Sequence, residues 1–435
     1  MLGISAAAVA GCATGGAPQA VPATRKVSAN DKLNIACVGV GGQGYADLRS
    51  VMHENIVAMC DVDAESATRA YALEALAAVP KYNDYRVMLD KQKDIDAVVV
   101  SIPDHMHTFV ATSAMQLGKH VYVQKPMAHS VAEAHKLAAT ARQYKVVTQM
   151  GNQGHSGTGV WRLCDMIASG IIGPVREVQC WTNRPTWPQG LDRPADTPPV
   201  PATLNWDVWL GAAPERPYHP AYLPHKWRGW WDFGCCAMGD MGCHILDPPY
   251  TSLKLGAPAR ISAETSGVNN ETGPLWSIIT FEFPARGDMP PVKLTWSDGG
   301  KMPPRPGGLA PDFRLGDNDG GSLLIGEKGA ITVGTYGNGP KFLSAEQQAQ
   351  WDAMARNDRE VSEHHRNWIA ACKGEATAIS NFDYAAPFTE VVLLGNVSMR
   401  ANGPVEWDTA SKRITNLADA NRFIDPPYRT GWTLG

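Results

Sequence analysis

Leu33-Asn34-Ile35-Ala36-Cys37-Val38-Gly39-Val40-Gly41-Gly42-Gln43-Gly44 is the stretch that decides the fold. It begins as an apolar, strand-like run and ends in Gly-x-Gly-x-x-Gly, after which Tyr45 to His53 reads as a helix. A second apolar run, Ile56 to Cys60, ends at Asp61, roughly 20 residues beyond the glycines. Strand, glycine turn, helix, strand and acid in that order form the fingerprint of a dinucleotide site. Gly39 permits the tight turn, Gly41 lets backbone approach a pyrophosphate, and Gly44 lets the helix pack closely on the strand. With Gly42 and Gln43 they open a helix whose free N–H groups and positive end suit phosphate.

Asp61 selects the nucleotide. A carboxylate at the end of the second strand bonds both ribose hydroxyls and repels a 2′-phosphate. Val62-Asp63 follow with no arginine to hold that phosphate, and Asp63 is the better helix cap. The expected cofactor is NAD rather than NADP.

The alternation continues outward. Strand-like runs at Ile95–Ser101, His120–Gln124 and Val146–Met150 are separated by helical runs at Ala64–Ala78, His107–Leu117 and Val131–Tyr144. Ser130 and Glu133 make a capping box for the last helix. This is a doubly wound α/β sheet of Rossmann type over residues 31–152. Beyond it the texture changes: a helix, Val160–Ala168, a strand, Val175–Thr182, and a Pro/Trp-rich loop from Asn183 to Trp230. Strands at Arg260–Thr265, Ser277–Phe283, Val292–Trp296, Ser322–Ile325 and Ala330–Val333 follow without intervening helices. Helices near Arg359–Lys373 and Pro387–Met399 close the chain. Residues 153–435 therefore read as an α+β domain with a mainly antiparallel sheet.

Bulk properties exclude other classes. Among 435 residues, charged types make up 19% and the net charge is −4, with no Lys/Arg cluster, so nucleic acid and anionic membranes are not expected partners. Eight of the 14 tryptophans fall between Trp161 and Trp231, where they serve either a core or the faces of sugar rings. The nine cysteines show no C-x-x-C pair and read as buried thiols, Cys12 excepted.

Residues 1–30 stand apart. Leu2 to Ala10 is apolar, and Val9-Ala10-Gly11-Cys12 matches a lipoprotein cleavage box, although no positive charge precedes it. The segment reads as the tail of an export signal and linker, with Cys12 a possible lipid anchor. A periplasmic or exported location follows, by the twin-arginine or the lipoprotein route. A disordered arm on a cytoplasmic protein is the alternative. Nine residues do not span a bilayer.

Chemistry gathers at two places. Val123-Gln124-Lys125-Pro126 ends a strand of the parallel sheet, which sets Lys125 beside a bound nicotinamide. A lysine there holds a substrate hydroxyl and, once deprotonated, removes its proton. In Gly239-Asp240-Met241-Gly242-Cys243-His244, Asp240 and His244 lie four apart and share one helix face, as a carboxylate-oriented base requires. The same pair at a metal would need a third ligand, and none stands out, so no metal is expected. Asn152, Gln153 and His155 follow a strand end. Lys226, Arg228, Trp230, Trp231 and Asp232 supply the cations, rings and acid that a carbohydrate requires.

In combination, Gly39–Gly44, Asp61, Ser101-Ile102-Pro103-Asp104-His105-Met106-His107, Gln124-Lys125-Pro126 and Asp240–His244 resemble the Gfo/Idh/MocA family of oxidoreductases. The resemblance implies a Rossmann domain followed by an α/β domain whose open sheet often forms the oligomer interface. A homo-oligomer, dimer or tetramer, follows, with a sugar, cyclitol or glycoside as substrate. It also implies that Lys125 is the catalytic lysine, that Asp240 and His244 act with it, and that Ile102, Pro103 and His107 line the cofactor. Gln124 departs from the family's usual Glu-Lys-Pro and removes a negative charge beside Lys125, so that lysine should give up its proton more readily. The expected reaction is hydride transfer between a sugar carbon and NAD. Some relatives are instead NAD-recycling glycosidases, and a sugar sensor that keeps NAD only structurally is the non-enzymatic rival.

Overall fold

The computed structural model describes residues 24–354 and 361–434. The expected leader and Cys12 lie outside the described residues.

Strand β1 (Asn34–Val38) is buried from Ile35 onward. After it come α1 (Gln43–Val51), β2 (Asn55–Cys60), α2 (Thr68–Tyr71), β3 (Lys81–Tyr82) and α3 (Tyr85–Lys91). The unit is completed by β4 (Ala97–Val100), α4 (Asp104–Gln116), β5 (His120–Val123), α5 (Val131–Tyr144) and β6 (Thr148–Met150). These strands form one parallel sheet in the order β3-β2-β1-β4-β5-β6. The order reverses between β1 and β4, and ligands of such sheets bind outside the strand ends at that reversal. All four residues of β4, Ala97-Val98-Val99-Val100, are buried, as a parallel strand covered on both faces requires.

The second unit comprises α6 (Thr158–Ala168), β7 (Val175–Thr182), α7 (Trp206–Leu210), α8 (Cys236–Ile245), α9 (Asp247–Ser252), β8 (Arg260–Thr265), β9 (Ser277–Phe283) and β10 (Val292–Ser297). It continues through β11 (Gly320–Gly326), β12 (Ala330–Gly334), β13 (Lys341–Phe342), α10 (Ala345–Asp352), α11 (His364–Cys372), α12 (Phe382–Arg400), β14 (Val405–Asp408) and β15 (Arg413–Ile414). Its nine-stranded sheet has the order β13-β12-β11-β7-β10-β9-β8-β14-β15. Within it β7 and β10 run parallel, and the other pairs are antiparallel. Residues of β9 alternate between buried and more exposed, the pattern of a sheet covered on one face. Helices α8 and α12 supply that cover. Among the described residues, no helix is long and apolar enough to cross a membrane.

Local details differ from expectation where long-range pairing prevails over propensity. The helix expected over Ala64–Ala78 is broken: α2 is short, Leu73 is extended, and a single 3-10 turn covers Glu74–Leu76. The chain must turn there to feed β3, whose Tyr82 carbonyl accepts the Asp61 N–H. Helix α12 begins before Pro387, capped by Asn381, whose side chain accepts from the N–H groups of Asp383 and Tyr384. Late in the chain, α11 returns to the first sheet, where Trp368, Ile369 and Cys372 pack with Leu33, Ile35, Val99 and Tyr122.

Candidate active site

A cavity of about 980 Å³ opens between the C-terminal ends of the parallel sheet and the loops of the second unit. Gly39, Gly41, Gly42, Gln43, Asp61, Ile102, Pro103 and Gln124 line one half of it. Gly39 has φ 77°, and a Cβ there would lie 2.2 Å from the Ser101 carbonyl oxygen. A Cβ on Gly44 would lie 2.1 Å from the Gly39 oxygen, so turn and helix meet with no room for a side chain. No side chain caps the N-terminus of α1, which leaves its N–H groups to a ligand, and a Cβ on Gly42 would meet nothing within 4 Å. This open cradle of N–H groups fits a pyrophosphate. Asp61 accepts from Val40 N–H at 2.9 Å and from Asp63 N–H at 3.1 Å, which fixes the carboxylate at the ribose end. Asp63 accepts from Glu65 N–H and caps the following turn.

The other half holds Lys125, Asp240, His244, Arg228 and Gln153. Helix α8 approaches the end of β5, where a Cβ on Gly239 would stand in ordinary contact with Pro126 at 3.8 Å; the glycine is required by the helix's own start, since that Cβ would lie 2.1 Å from Cys235 Cβ. That approach brings Lys125 Nζ to 2.8 Å from Asp240 Oδ1 and 2.7 Å from the Asp240 carbonyl oxygen. Arg228 Nε donates to the same Oδ1 at 3.2 Å. Burial alone would raise the Asp240 carboxyl, but Lys125 and Arg228 outweigh it and hold the group well below the usual carboxylate range. His244 lies against the Tyr336 ring, with centroids 4.5 Å apart. Burial, reinforced by the charge of Lys125, holds its imidazole well below its ordinary value, so it is neutral at pH 7. Its Nδ1 has no protein partner among the described residues. The pairing expected between Asp240 and His244 is therefore corrected: Asp240 serves Lys125 and Arg228 instead.

Several expected site residues lie outside the cavity. His107 is buried with its ring nitrogens 2.8 Å from the carbonyls of Pro126 and Ile102, so it braces the lining without reaching it. Asn152 is 1% exposed and accepts from Ser380 Oγ at 2.6 Å. His155 is bound to Asp247 at 2.9 Å and stacks on Tyr384. Trp230 and Trp231 are buried, and Trp230 belongs to an aromatic cluster with Trp209, Tyr222, Trp227 and Phe233. Asp232 pairs with the buried Arg216, and Lys226 is exposed outside the lining. Of these residues, Trp230 packs under the long loop, and His107, Asn152 and His155 are bound to other parts of the interior.

The cavity also contains groups that sequence reasoning missed. Tyr336 adopts φ 62° in a turn beside Gly337, and His225 Nδ1 accepts from Arg228 Nη1 at 2.9 Å. Arg184, Trp187, Trp209 and Tyr218 join them from the loop. Asp104 lies at the start of α4, where burial pushes its carboxyl up to about 7 against the pull of Arg228 and Lys125. Asp104 stands inside the quoted Ser101–His107 motif and was legible there; Tyr336 carries no local signal.

Fold and site define a two-domain protein built around a dinucleotide cavity. Residues 33–152 match the oxidoreductase family with an NAD-binding Rossmann fold, Gfo/Idh/MocA, and residues 157–287 match that family's C-terminal alpha/beta domain. The chain belongs to this family, and NAD is its cofactor. Among curated proteins it is similar to inositol 2-dehydrogenase of Salmonella typhimurium, with 31% identity over 32% of this chain and 43% of the relative. It is also similar to a glycosyl hydrolase family 109 protein of Saccharopolyspora erythraea, with 32% identity over 38% of this chain and 40% of the relative. These alignments span less than half of either relative's length. Among solved structures, the WlbA dehydrogenase from Bordetella pertussis, in complex with NADH and UDP-GlcNAcA, shares the fold with a TM-score of 0.58 at 15% identity, covering 87% and 99% of the two chains. An inositol dehydrogenase homolog from Azotobacter vinelandii, complexed with NADH and myo-inositol, gives 0.57 at 16% identity, covering 87% and 98%.

Proposed function

We propose that this chain is an NAD-dependent oxidoreductase that moves hydride between a carbohydrate hydroxyl carbon and nicotinamide. The observation that carries the proposal is the Lys125–Asp240 pair, 2.8 Å apart, in the same cavity as the glycine turn and His244. When bound, the nicotinamide supplies the hydride acceptor. The chain's residues do the rest. Lys125 holds the substrate oxygen while Asp240 fixes the ammonium. His244, kept neutral by burial, takes the hydroxyl proton, so the O–H and C–H bonds break as a C=O bond forms. The rings of Trp187, Trp227 and Tyr336 and the cations Arg184 and Arg228 bind a polyhydroxyl ring. A panel of sugars, cyclitols and glycosides, followed by absorbance of the reduced cofactor, tests this reading; no reduction with any of them contradicts it.

A second reading is favoured by one observation, the match to a glycosyl hydrolase family 109 protein. In it the sugar is oxidised, loses its aglycone, adds water and is reduced again by the same cofactor, with net hydrolysis. Export to the periplasm, with the cytoplasm as the alternative, and a homo-oligomer formed through the open sheet complete the proposal. Cell fractionation and light scattering check them.

A further inference from the structure

Beneath the glycine turn lies a carboxylate that the chemistry above does not use. Asp47, on α1, is 0% exposed. Its Oδ1 accepts from Gln43 Nε2 at 3.0 Å and faces His365 Nε2 at 3.3 Å. Its Oδ2 accepts from Ser101 Oγ at 2.7 Å and from Gln124 Nε2 at 2.8 Å. Gln43 opens α1 itself, just after the glycine turn, and the other three partners belong to the end of β4, the end of β5 and α11, so one buried group ties α1 to three further elements. Both oxygens are saturated, as a carboxylate removed from water requires.

Gln124 passes the constraint to Lys125. With its amide nitrogen taken by Asp47, its Oε1 accepts the Lys125 N–H at 3.3 Å. An amide presents a donor to one neighbour and an acceptor to the other, which an ionised carboxylate of the same length does not. A glutamate there would set two carboxylates at hydrogen-bond distance, and one would have to hold a proton. Gly151 makes the room: a Cβ on it would lie 2.8 Å from Gln124 Cδ.

We propose that Asp47 is a positioning residue of the site: it sets the glycine turn through Gln43 and Ser101, sets Lys125 through Gln124, and requires the amide at position 124. The inference rests on the cofactor half of the proposed function and not on the substrate. It is tested by titrating NAD, with no sugar present, against Asp47→Asn, Gln124→Glu and the double variant. Each single change removes a buried bond or opposes two acids, and should weaken NAD binding by about tenfold or more. The double change restores one donor and one acid in exchanged places, and binding should return to within about threefold of the wild type. A purely structural role would lower the melting temperature and leave NAD affinity alone. Singles that bind like the wild type, or a double variant as weak as the two losses combined, overturn the proposal. Where Gln124→Glu alone does not fold, the double variant must still bind NAD more tightly than Asp47→Asn, and weaker binding overturns it. A wild-type chain that takes up no NAD overturns the cofactor reading as well; failure of the sugar panel leaves this result untouched.

Discussion

Asp240 Oδ1 receives two cations, Lys125 and Arg228, and this sharing leaves His244 without an acid partner among the described residues. Lys125→Ala and His244→Ala should each lower turnover by about 100-fold or more, the usual worth of a positioned acid–base group. NAD affinity should stay near that of the wild type, and steady-state kinetics beside NAD titration separates the two effects. The imidazole is depressed by burial first and by Lys125 second, so its neutral form persists below pH 6.5. A limb of kcat/KM set by His244 should therefore lie below pH 6.5; a limb near 7 that Asp104→Asn abolishes belongs to that buried carboxyl, and one at or above 6.5 that survives Asp104→Asn speaks against His244 as the proton acceptor. At the other end of the cavity, Asp61→Ala should weaken NAD and improve NADP relative to it, read by paired titrations. Equal wild-type affinity for both cofactors contradicts the role given to Asp61. Lys125, Asp240 and His244 were legible in the sequence because each sits in a short motif whose element type was also readable. The partner of Asp240 was not, because a spacing of four on a helix says nothing about a lysine more than a hundred residues away. Asn152 and His155 misled for the same reason: a polar residue after a strand end looks identical whether it turns outward or finds Ser380 or Asp247 inside.

At the scale of elements, the glycine turn and α8 are the two parts that place chemistry, and both depend on missing side chains. Helix α11 contributes differently, since it comes from far along the chain yet covers the first sheet with the fully buried Trp368. Trp368→Ala should cost about 3–5 kcal/mol, the range for removing a large buried ring. NAD should recover part of that loss by mass action. Thermal melts with and without the cofactor check it. Strands β1, β2, β4 and β5 were readable because fully buried parallel strands are apolar runs. Helix α2 was overestimated because alanine-rich sequence favours helix locally, whereas its true length is set by the return of the chain into β3. The aromatic loop read correctly as irregular, but its tryptophans were divided wrongly between core and ligand. Trp230 and Trp206 pack in a cluster under the loop, while Trp187, Trp209 and Trp227 also line the cavity, a division that composition alone does not make.

The whole molecule is a Rossmann unit and a sheet unit meeting at one large cavity, with cofactor groups on one side and loop aromatics with arginines on the other. This arrangement serves a dehydrogenase that releases its reduced cofactor and a glycosidase that reuses it, so the two readings part in bookkeeping of hydride rather than in shape. The most direct measurement follows reduced nicotinamide and aglycone together, using purified protein, a chromogenic glycoside and the matching free sugar, with and without added NAD. Hydride transfer as proposed produces NADH in proportion to sugar consumed, and only when NAD is added. Stoichiometric aglycone release without added NAD and without any accumulation of NADH would contradict it.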